Sequence, residues 1–359
     1  MKVALGSKFV EGPYGGGNTF IKNFSNYLIK NDHKVVYDLN DEDIDIILLT
    51  NPLIDSTHST FNHLDIDMYQ TKVNKKTISV QRINECDERK ETDYVNKAIT
   101  KSNKNIDHTI FVSSWLKEVY KRYGMKTNNS SIILGGSDPE IFNGNNKSKW
   151  NGSTKINLVT HHWSDNWLKG FKTYKLIDEL LDDEEWSEKL NFTYIGNYPK
   201  EIFFKNTKLV KPIAGNELAK ELKNHHIYIT GSLNEPSGNH HVEAGLCKLP
   251  ILYINSGGIT EYCKEVGVEF DNDNIEERLN YLISNYDKYY AKIDKYNLTS
   301  EKMSEAYVSL FKTLQNSSIE IAEKRDKVNI LTLFLNKVIF RIKKFINIII
   351  YNFRKLFSR

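Results

Sequence analysis

The sequence predicts an α/β protein with two doubly wound domains in tandem, followed by a basic amphipathic helix. Its 359 residues exceed what a single hydrophobic core usually organises. Short apolar runs alternate with amphipathic helical patterns, which is typical of βαβ units and parallel sheets. The alternation stops at residues 143–154, which are rich in Asn, Gly, Lys and Ser, and then restarts. We interpret that segment as an interdomain linker.

Each predicted domain is Rossmann-like, with strands and helices in alternation. The first has strand patterns at residues 2–5, 34–37, 44–49, 77–82, 108–112 and 131–134, and helices near 19–30 and 113–123. The second has strand patterns at 156–160, 192–195, 226–229 and 250–254, and helices at 171–181, 216–222 and 239–247. We expect the domains to span 1–145 and 146–290, with a helical segment at 291–325 and a tail at 326–359. Two such domains face each other across a cleft, where ligands bind at the carboxyl ends of the strands.

Composition excludes several classes of protein. With 40% hydrophobic and 26% charged residues, the chain is neither disordered nor a multi-span membrane protein. Its three cysteines form no C-x-x-C pair, which favours a reducing compartment and argues against a zinc ribbon. The strand pattern at the first residues leaves no sign of a signal peptide. We therefore expect a cytoplasmic protein.

The charge is distributed unevenly. Eight of the 49 basic residues and none of the 46 acidic residues lie in 327–359, so the preceding chain carries a net charge of −5. A nucleic-acid binder would carry its basic patch on the folded body, so we expect no nucleic-acid partner. On a helical wheel the tail separates cations from large apolar residues, as helices at a membrane interface do. A spanning helix would bury Lys337, Arg341, Lys343 and Lys344, which is costly, and a helix packed on the body is the other alternative. We expect peripheral attachment to an anionic membrane surface.

The most informative motif runs from Asn234 to Gly245. Glu235 and Glu243 are too far apart on one helix to share a small ligand, but Pro236 and Gly238 break the segment into a loop followed by a helix. Glu235 can then fold back over the helix N-terminus, whose free N–H groups form an anion site. Two carboxylates beside such a site suit a sugar nucleotide. Two glutamates alone would be better explained by a capped helix start with an exposed pair.

Here the sequence resembles the retaining glycosyltransferases of the GT-B fold, family 4 of that class. Their pattern of E-P-x-G-x4-E-A followed by a G-G-x-x-E turn is matched by Glu235, Pro236, Gly238, Glu243 and the segment from Gly257 to Glu261. Further pieces match in order. They are the glycine loop Gly15–Gly17, the V-S helix start at Val112-Ser113, the run from Gly135 to Phe142, the K-G pair Lys169-Gly170 and the strand Tyr194-Ile195-Gly196. Lys248 stands where the family usually has glycine.

The resemblance implies a role for each of these residues. Glu243 would hold the ribose of a UDP- or GDP-linked sugar donor, and Glu235 the donor sugar or the charge that develops at its anomeric carbon. The donor diphosphate would be held by Lys169, the amides of Gly238 and Asn239, and the glycine loop of Gly15, Gly16 and Gly17. The family often has an arginine five positions before the K-G lysine. Ser164 stands there instead and is expected to help only as a hydroxyl.

A charged run follows the strand pattern at 77–82. Its position at the carboxyl end of a strand makes Arg82, Asn84, Glu85 and Arg89 candidates for acceptor binding, because the first domain of this fold mostly holds the acceptor. A solvated loop with local ion pairs explains the same residues equally well.

Two further patterns suggest metal sites but are better explained otherwise. Asp65 and Asp67 form a D-x-D pair, which would share one face of a strand, and histidine pairs occur at 161–162, 225–226 and 240–241. Neither has the remaining ligands at the required spacing, so we predict no metal and no cofactor beyond the nucleotide-sugar co-substrate.

The resulting expectation is a retaining, metal-independent hexosyltransferase at a membrane surface. Its acceptor would be a glycan, lipid-linked or protein hydroxyl, as in polysaccharide or glycolipid assembly. Two alternatives stay open at this point: an inactive relative that acts as a binding or scaffold protein, which the loss of the arginine favours, and a sugar-nucleotide epimerase of the same fold.

Overall fold

A computed structural model describes residues 1–10, 15–53 and 58–357. Its framework is two parallel sheets of six strands each, both covered by helices. This confirms the predicted α/β architecture with two doubly wound domains. The strands are short and mostly buried on both faces, which is why they appear in the sequence as continuous apolar runs.

The first sheet has the strand order β2-β1-β3-β4-β5-β6. Its strands are β1 (Lys2–Leu5), β2 (Lys34–Val36), β3 (Ile46–Leu49), β4 (Ile78–Ile83), β5 (His108–Phe111) and β6 (Ser130–Ile132). The helices that alternate with them are α1 (Gly16–Lys30), α2 (His63–Lys72), α3 (Val95–Ser102) and α4 (Ser114–Arg122). Ser113 caps α4, since its Oγ accepts from the Leu116 amide at 3.3 Å.

The second sheet has the order β12-β11-β10-β7-β8-β9. Its strands are β7 (Ile156–His162), β8 (Leu190–Gly196), β9 (Lys208–Val210), β10 (Ile227–Thr230), β11 (Ile251–Ile254) and β12 (Gly267–Phe270). Its helices are α5 (Phe171–Leu180), α6 (Glu184–Lys189), α7 (Gly215–Lys223), α8 (Asn239–Leu246), α9 (Ile259–Cys263), α10 (Ile275–Ser284) and α11 (Tyr286–Ile293). A short 3-10 turn at Trp167–Lys169 precedes α5.

The D-x-D pair of the sequence lies on a helix and not on a strand. Asp65 lies in the first turn of α2, where Asn62 and Asp65 form a reciprocal capping box. Asp67 is buried on the same helix and accepts a hydrogen bond from Asn105 at 2.9 Å. The two carboxylates therefore stabilise a helix and its packing.

After α11 the chain returns to the first domain. Helix α12 (Ser300–Asn316) packs on α1, and its residues Met303, Tyr307 and Phe311 belong to the same core as Phe24. The crossing point is tight. Ser137 and Thr299 form an isolated bridge, and a Cβ on Gly136 would lie 2.3 Å from the carbonyl oxygen of Thr299. Helix α13 (Ser318–Lys324) follows.

The tail forms a long helix, α14 (Ile330–Phe357), that docks on α2. Leu333 is buried there, Lys337 Nζ lies 2.7 Å from Asp65 Oδ1, and Phe340 meets the ring of His63 edge-on. The opposite face is apolar and exposed along Leu331, Phe334, Leu335, Val338, Ile342, Phe345 and Ile349. Among the described helices, none combines the length and apolar composition needed to cross a bilayer.

Candidate functional site

The candidate site lies where the carboxyl ends of strands from both sheets face each other. Of the predicted glycine loop, Gly15 caps α1, and Gly16 and Gly17 are the first residues of that helix, which follows β1. The charged run from Asn84 to Lys90 follows β4. From the second sheet, β7 ends at His162 and β10 leads into the loop before α8. Sequence reasoning predicted this convergence, and direct contacts between the two sides bear it out.

The loop before α8 places Glu235 beside the helix N-terminus. Gly238 has a φ of 94°, a conformation that side chains rarely adopt, and a Cβ there would lie 3.0 Å from Glu235 Cγ. Gly257 follows β11 and has a φ of 67°, where a Cβ would lie 2.4 Å from the Glu235 carbonyl oxygen. The motif's glycines therefore allow the loop to fold back closely, as the sequence suggested.

Glu235 is the centre of an ion cluster that joins the two domains. Lys169 Nζ donates to its Oε2 at 2.5 Å, and Arg89 Nε lies 3.1 Å from its Oε1. Burial acts to raise the pKa of Glu235, but the charges of Arg89 and Lys169 outweigh burial and lower that pKa to about 2. The Glu235 carboxylate in turn raises the pKa of Arg89. At neutral pH Glu235 is a carboxylate, so it can stabilise positive charge but cannot donate a proton.

The charged run after β4 is an ordered part of this cluster. Glu85 accepts from Arg89 Nη1 at 3.0 and 3.2 Å and pairs with Lys90 Nζ at 2.8 Å. Asn234 Nδ2 donates to the Glu88 carbonyl at 3.2 Å, which ties the run to the second domain. Local ion pairs, one of the two interpretations of this segment, are therefore present. Arg89 also reaches across the cleft, which the sequence did not indicate.

Arg82 and Asn84 occupy different environments at the end of β4. Arg82 is buried, and its guanidinium lies 4.2 Å from the ring centroid of Phe20 on α1, a cation–π contact. Its Nε has no hydrogen-bond partner in the described part of the chain. Asn84 is half-buried. Their role in acceptor binding stays a prediction.

Glu243 lies on α8 and contacts β7. Its Oε2 is 2.9 Å from His161 Nε2, and both side chains are largely buried. His161 Nδ1 is buried without a hydrogen-bond partner among the described residues. This contact fixes the direction of the Glu243 carboxylate. The histidine at the end of a strand was the sequence signal for it.

The predicted diphosphate site is only partly cationic. Lys169 ends the 3-10 turn, and Gly170 follows with a φ of 98°, where a Cβ would lie 2.5 Å from the Gly231 carbonyl carbon. Ser164 is half-buried, and its Oγ accepts from the Asn166 amide at 3.1 Å. Gly238 caps α8 without a side-chain hydrogen bond, so the first N–H groups of the helix are available.

The glycine loop meets this helix N-terminus. A Cβ on Gly16 would lie 3.1 Å from Asn239 Nδ2, whereas Gly15 and Gly17 have open space around them. The structure thus brings Gly16 and Asn239, both predicted donor contacts, to the same point of the cleft.

Sequence reasoning missed the contacts that hold the domains together beside the site. Glu261 accepts hydrogen bonds from the Ser114 and Trp115 amides at the start of α4, at 2.9 and 3.1 Å. Tyr262 Oη donates to the Val112 carbonyl at 2.6 Å and accepts from the Gly135 amide at 2.8 Å. In the sequence, the sole indication of these interdomain contacts was the presence of Glu261 and Tyr262 after the Gly257-Gly258 turn.

His162, His240 and His241 near the cleft are neutral packing groups. Burial lowers the pKa of His162 and His240 well below the usual value, and that of His241 to about 3. His162 is 2.6 Å from Tyr174 Oη, and His240 is 2.9 Å from Thr230 Oγ1. Within the described ranges, no group of three or more His, Cys, Asp or Glu residues could hold a metal ion.

Two doubly wound domains with parallel sheets, facing each other across a cleft, define the GT-B fold of glycosyltransferases. Comparison with solved structures gives the same result. Sucrose-phosphate synthase from Thermosynechococcus elongatus superposes with a TM-score of 0.65 at 12% identity, over 88% of this chain and 99% of that one. HepE from Anabaena, solved with UDP and glucose, gives 0.61 at 12% identity, over 87% and 100%.

A third structure, WaaG, a glycosyltransferase involved in lipopolysaccharide biosynthesis, gives a TM-score of 0.54 at 12% identity, over 89% of this chain and 99% of that one. By sequence, neither a family model nor a curated protein matches the chain. At these identities the likeness establishes the GT-B fold, and the activity has to be argued from the site.

Proposed function

We propose that this protein is a retaining glycosyltransferase that moves a sugar from a UDP- or GDP-linked donor to an acceptor hydroxyl. The observation that carries the proposal is the cluster of Glu235 and Lys169 beside the uncapped N-terminus of α8, with Gly16 of the other domain at Asn239. The carboxylate suits the sugar and the positive charge that develops on it. The cation and the free amides suit the diphosphate. HepE, which shares the fold, was solved with UDP-glucose.

The reaction needs positioning and electrostatics from the protein. The bond between the anomeric carbon and the donor phosphate oxygen breaks while the acceptor oxygen bonds from the same face, and the acceptor proton passes to the departing phosphate. Glu235, ionised at neutral pH, would stabilise the positive charge at the anomeric carbon. Lys169 and the α8 amides would stabilise the diphosphate, and Glu243, directed by His161, would hold the ribose.

A donor panel tests this proposal on the full chain. We expect one of UDP-, GDP- or ADP-sugars to raise the melting temperature and to be hydrolysed slowly, because binding stabilises the folded state by mass action. Lys169→Ala and Glu243→Ala should abolish both effects, while Lys117→Ala on the outer helix α4 should abolish neither. No stabilisation of the folded protein by any donor would support a scaffold protein, and conversion into an epimeric sugar would support an epimerase.

We propose further that α14 attaches the protein to the cytoplasmic face of a membrane, so that the acceptor belongs to a lipid-linked or surface glycan. Its exposed apolar face carries Leu335, Ile342 and Phe345, which are 52%, 53% and 65% exposed. Arg341 and Lys343 lie at the two sides of that face, where cations meet anionic headgroups. Since the body-facing side of α14 rests on α2, the apolar face points away from the protein.

Vesicle binding tests the attachment. The full chain should bind vesicles of phosphatidylcholine with phosphatidylglycerol more tightly than phosphatidylcholine alone, and less tightly as salt rises. Ile342→Asp should weaken binding by about 10-fold or more, because it removes an apolar side chain that would insert into the bilayer and adds a negative charge. Asn336→Asp makes the same charge change away from the apolar face and should have a much smaller effect. Equal weakening of vesicle binding in both variants would show that net charge alone, and not the apolar face, determines the interaction.

A further inference from the structure

We propose that Arg89, a residue of the first domain, binds the donor diphosphate together with Lys169 of the second domain, so that cations from both sides of the cleft hold one diphosphate. The inference rests on the proposed function and adds to it. It assigns the second cation of the diphosphate site to the opposite side of the cleft from the first.

The first step is the geometry around Glu235. Arg89 and Lys169 approach different oxygens of this one carboxylate from opposite domains, at 3.1 and 2.5 Å. Both cations are thereby directed at the same point. Glu235 stands three residues before Gly238, so that point is adjacent to the free amides of α8.

The second step is the charge. Glu235 balances only one of its two cationic partners, and the negative charge of Glu85 is matched by Lys90. The unliganded cluster therefore has one excess positive charge beside an uncapped helix N-terminus. A diphosphate supplies the missing negative charge. Its own negative charge increases when the bond to the sugar breaks, so both cations bind the leaving group more strongly as the reaction proceeds.

The third step is the free capacity of Arg89. A guanidinium has five N–H donors. Nη1 of Arg89 is used by Glu85, while the buried Nε lies 3.1 Å from Glu235 Oε1 without making a hydrogen bond to any residue that the structure describes. The side chain is 27% exposed, against 5% for Glu235, so it lies at the open side of the cluster where a ligand enters.

The position of Ser164 fits this arrangement. In the family that the sequence resembles, an arginine often occupies this position on the second domain. Here Ser164 is neutral, and its hydroxyl already accepts from the Asn166 amide. A cation supplied from the first domain would replace that charge, and would make donor affinity depend on how closely the domains approach.

The test compares nucleoside diphosphates with monophosphates on the full chain. Titration calorimetry with UDP, GDP and ADP identifies the base, and the matching monophosphate is then measured on wild type, Arg89→Ala and Arg89→Lys. We expect Arg89→Ala to weaken diphosphate binding by about 10- to 100-fold and monophosphate binding by less than about 3-fold. Arg89→Lys keeps the positive charge, and its diphosphate affinity should lie between those of wild type and Arg89→Ala. An intermediate affinity separates a binding defect from misfolding.

Two further variants sharpen the result. Lys121→Ala removes a cation that is 62% exposed in the last turn of α4 and pairs with Glu118 outside the cluster, and it should leave both affinities unchanged. Ser164→Arg added to Arg89→Ala returns a cation to the second domain and should recover part of the lost diphosphate affinity.

Three outcomes would overturn the inference. Equal weakening of mono- and diphosphate binding would make Arg89 only a latch between domains. Unchanged nucleotide affinity with a raised KM for the acceptor would place Arg89 on the acceptor side instead. If no nucleotide binds the folded wild-type chain, the proposed function itself fails, which the wild-type titration distinguishes from the other two.

Discussion

At the scale of single residues, the electrostatics of the cleft depend on one buried carboxylate between two cations. Removing the charge of Glu235 leaves Lys169 without its counter-ion and Arg89 with Glu85 alone, which is the costly way to break a buried pair. The same charge is required in the proposed reaction. Stability and activity should therefore both respond to a change that conserves the shape of the side chain.

For Glu235→Gln we expect a loss of about 3 kcal/mol in the free energy of unfolding at pH 7, measured by urea denaturation. The folded-state pKa of about 2 lies below the ordinary 4.5, so the ionised carboxylate stabilises the protein above pH 4.5 and loses this effect as pH falls toward 2. The difference between wild type and variant should therefore shrink at pH 3.5. Glu179→Gln, at a side chain that is 62% exposed, is the control. A difference that is constant with pH would contradict the assignment.

At the scale of elements, the point where the chain crosses back between domains is packed too closely for any side chain. The Ser300 amide donates to the Ser137 carbonyl at 2.8 Å, and the Ser137 amide donates to the Leu298 carbonyl at 3.2 Å. Gly136 lies against this bridge between Ser137 and Thr299. The crossing therefore depends on a residue without a Cβ.

Gly136→Ala should destabilise the protein by about 2 kcal/mol, because its Cβ would lie 2.3 Å from a backbone oxygen that cannot move alone. Differential scanning calorimetry would measure the change. Gly17→Ala, where a Cβ has open space, should leave the melting temperature nearly unchanged. Similar melting temperatures for the two variants would show that the crossing can relax.

Local elements were predictable where the apolar pattern was long or a cap was present, as for α4 with its Ser113 cap. The strands β9 and β12 were missed, since short strands at the edges of a sheet carry little pattern. Helix α2 was not predicted, because it has no clear apolar face and its start is marked only by the capping box of Asn62 and Asp65. A capping box is visible in sequence only when the helix start is already suspected.

The candidate site was predictable along one segment and not across the cleft. Glu235, Gly238 and Glu243 share a motif, and their relative placement follows from a loop and a helix start. The contact of Arg89 with Glu235 joins distant parts of the chain, and nothing local to either residue encodes it. Which sheet α12 would cover was hidden for the same reason, because an amphipathic helix does not specify its partner.

At the scale of the whole molecule, the separation of the two domains is set by a few hydrogen bonds beside the site. Tyr262 bridges the Val112 carbonyl and the Gly135 amide through one hydroxyl. Losing it leaves both backbone groups without that partner. Since the proposed donor site contains cations from both domains, a change in domain spacing should change the affinity for the donor diphosphate.

Tyr262→Phe should lower the free energy of unfolding by about 2 kcal/mol and weaken nucleoside diphosphate binding, with an increase in the radius of gyration by small-angle X-ray scattering. Tyr123→Phe, at an exposed side chain, is the matched control. An unchanged affinity together with a larger radius would mean that the domains close around the ligand without help from this contact.

The return of α12 to the first domain also sets an order of events during synthesis. The last strand of the first sheet ends at Ile132, yet Tyr307 and Phe311 are needed to fill the core beneath α1. At about 5–20 residues per second, the ribosome adds those residues about 9–36 s after it has added Ile132. Through that interval Phe20 and Phe24 lack their partners, so the nascent first domain should be a client of chaperones until nearly the whole chain has been made.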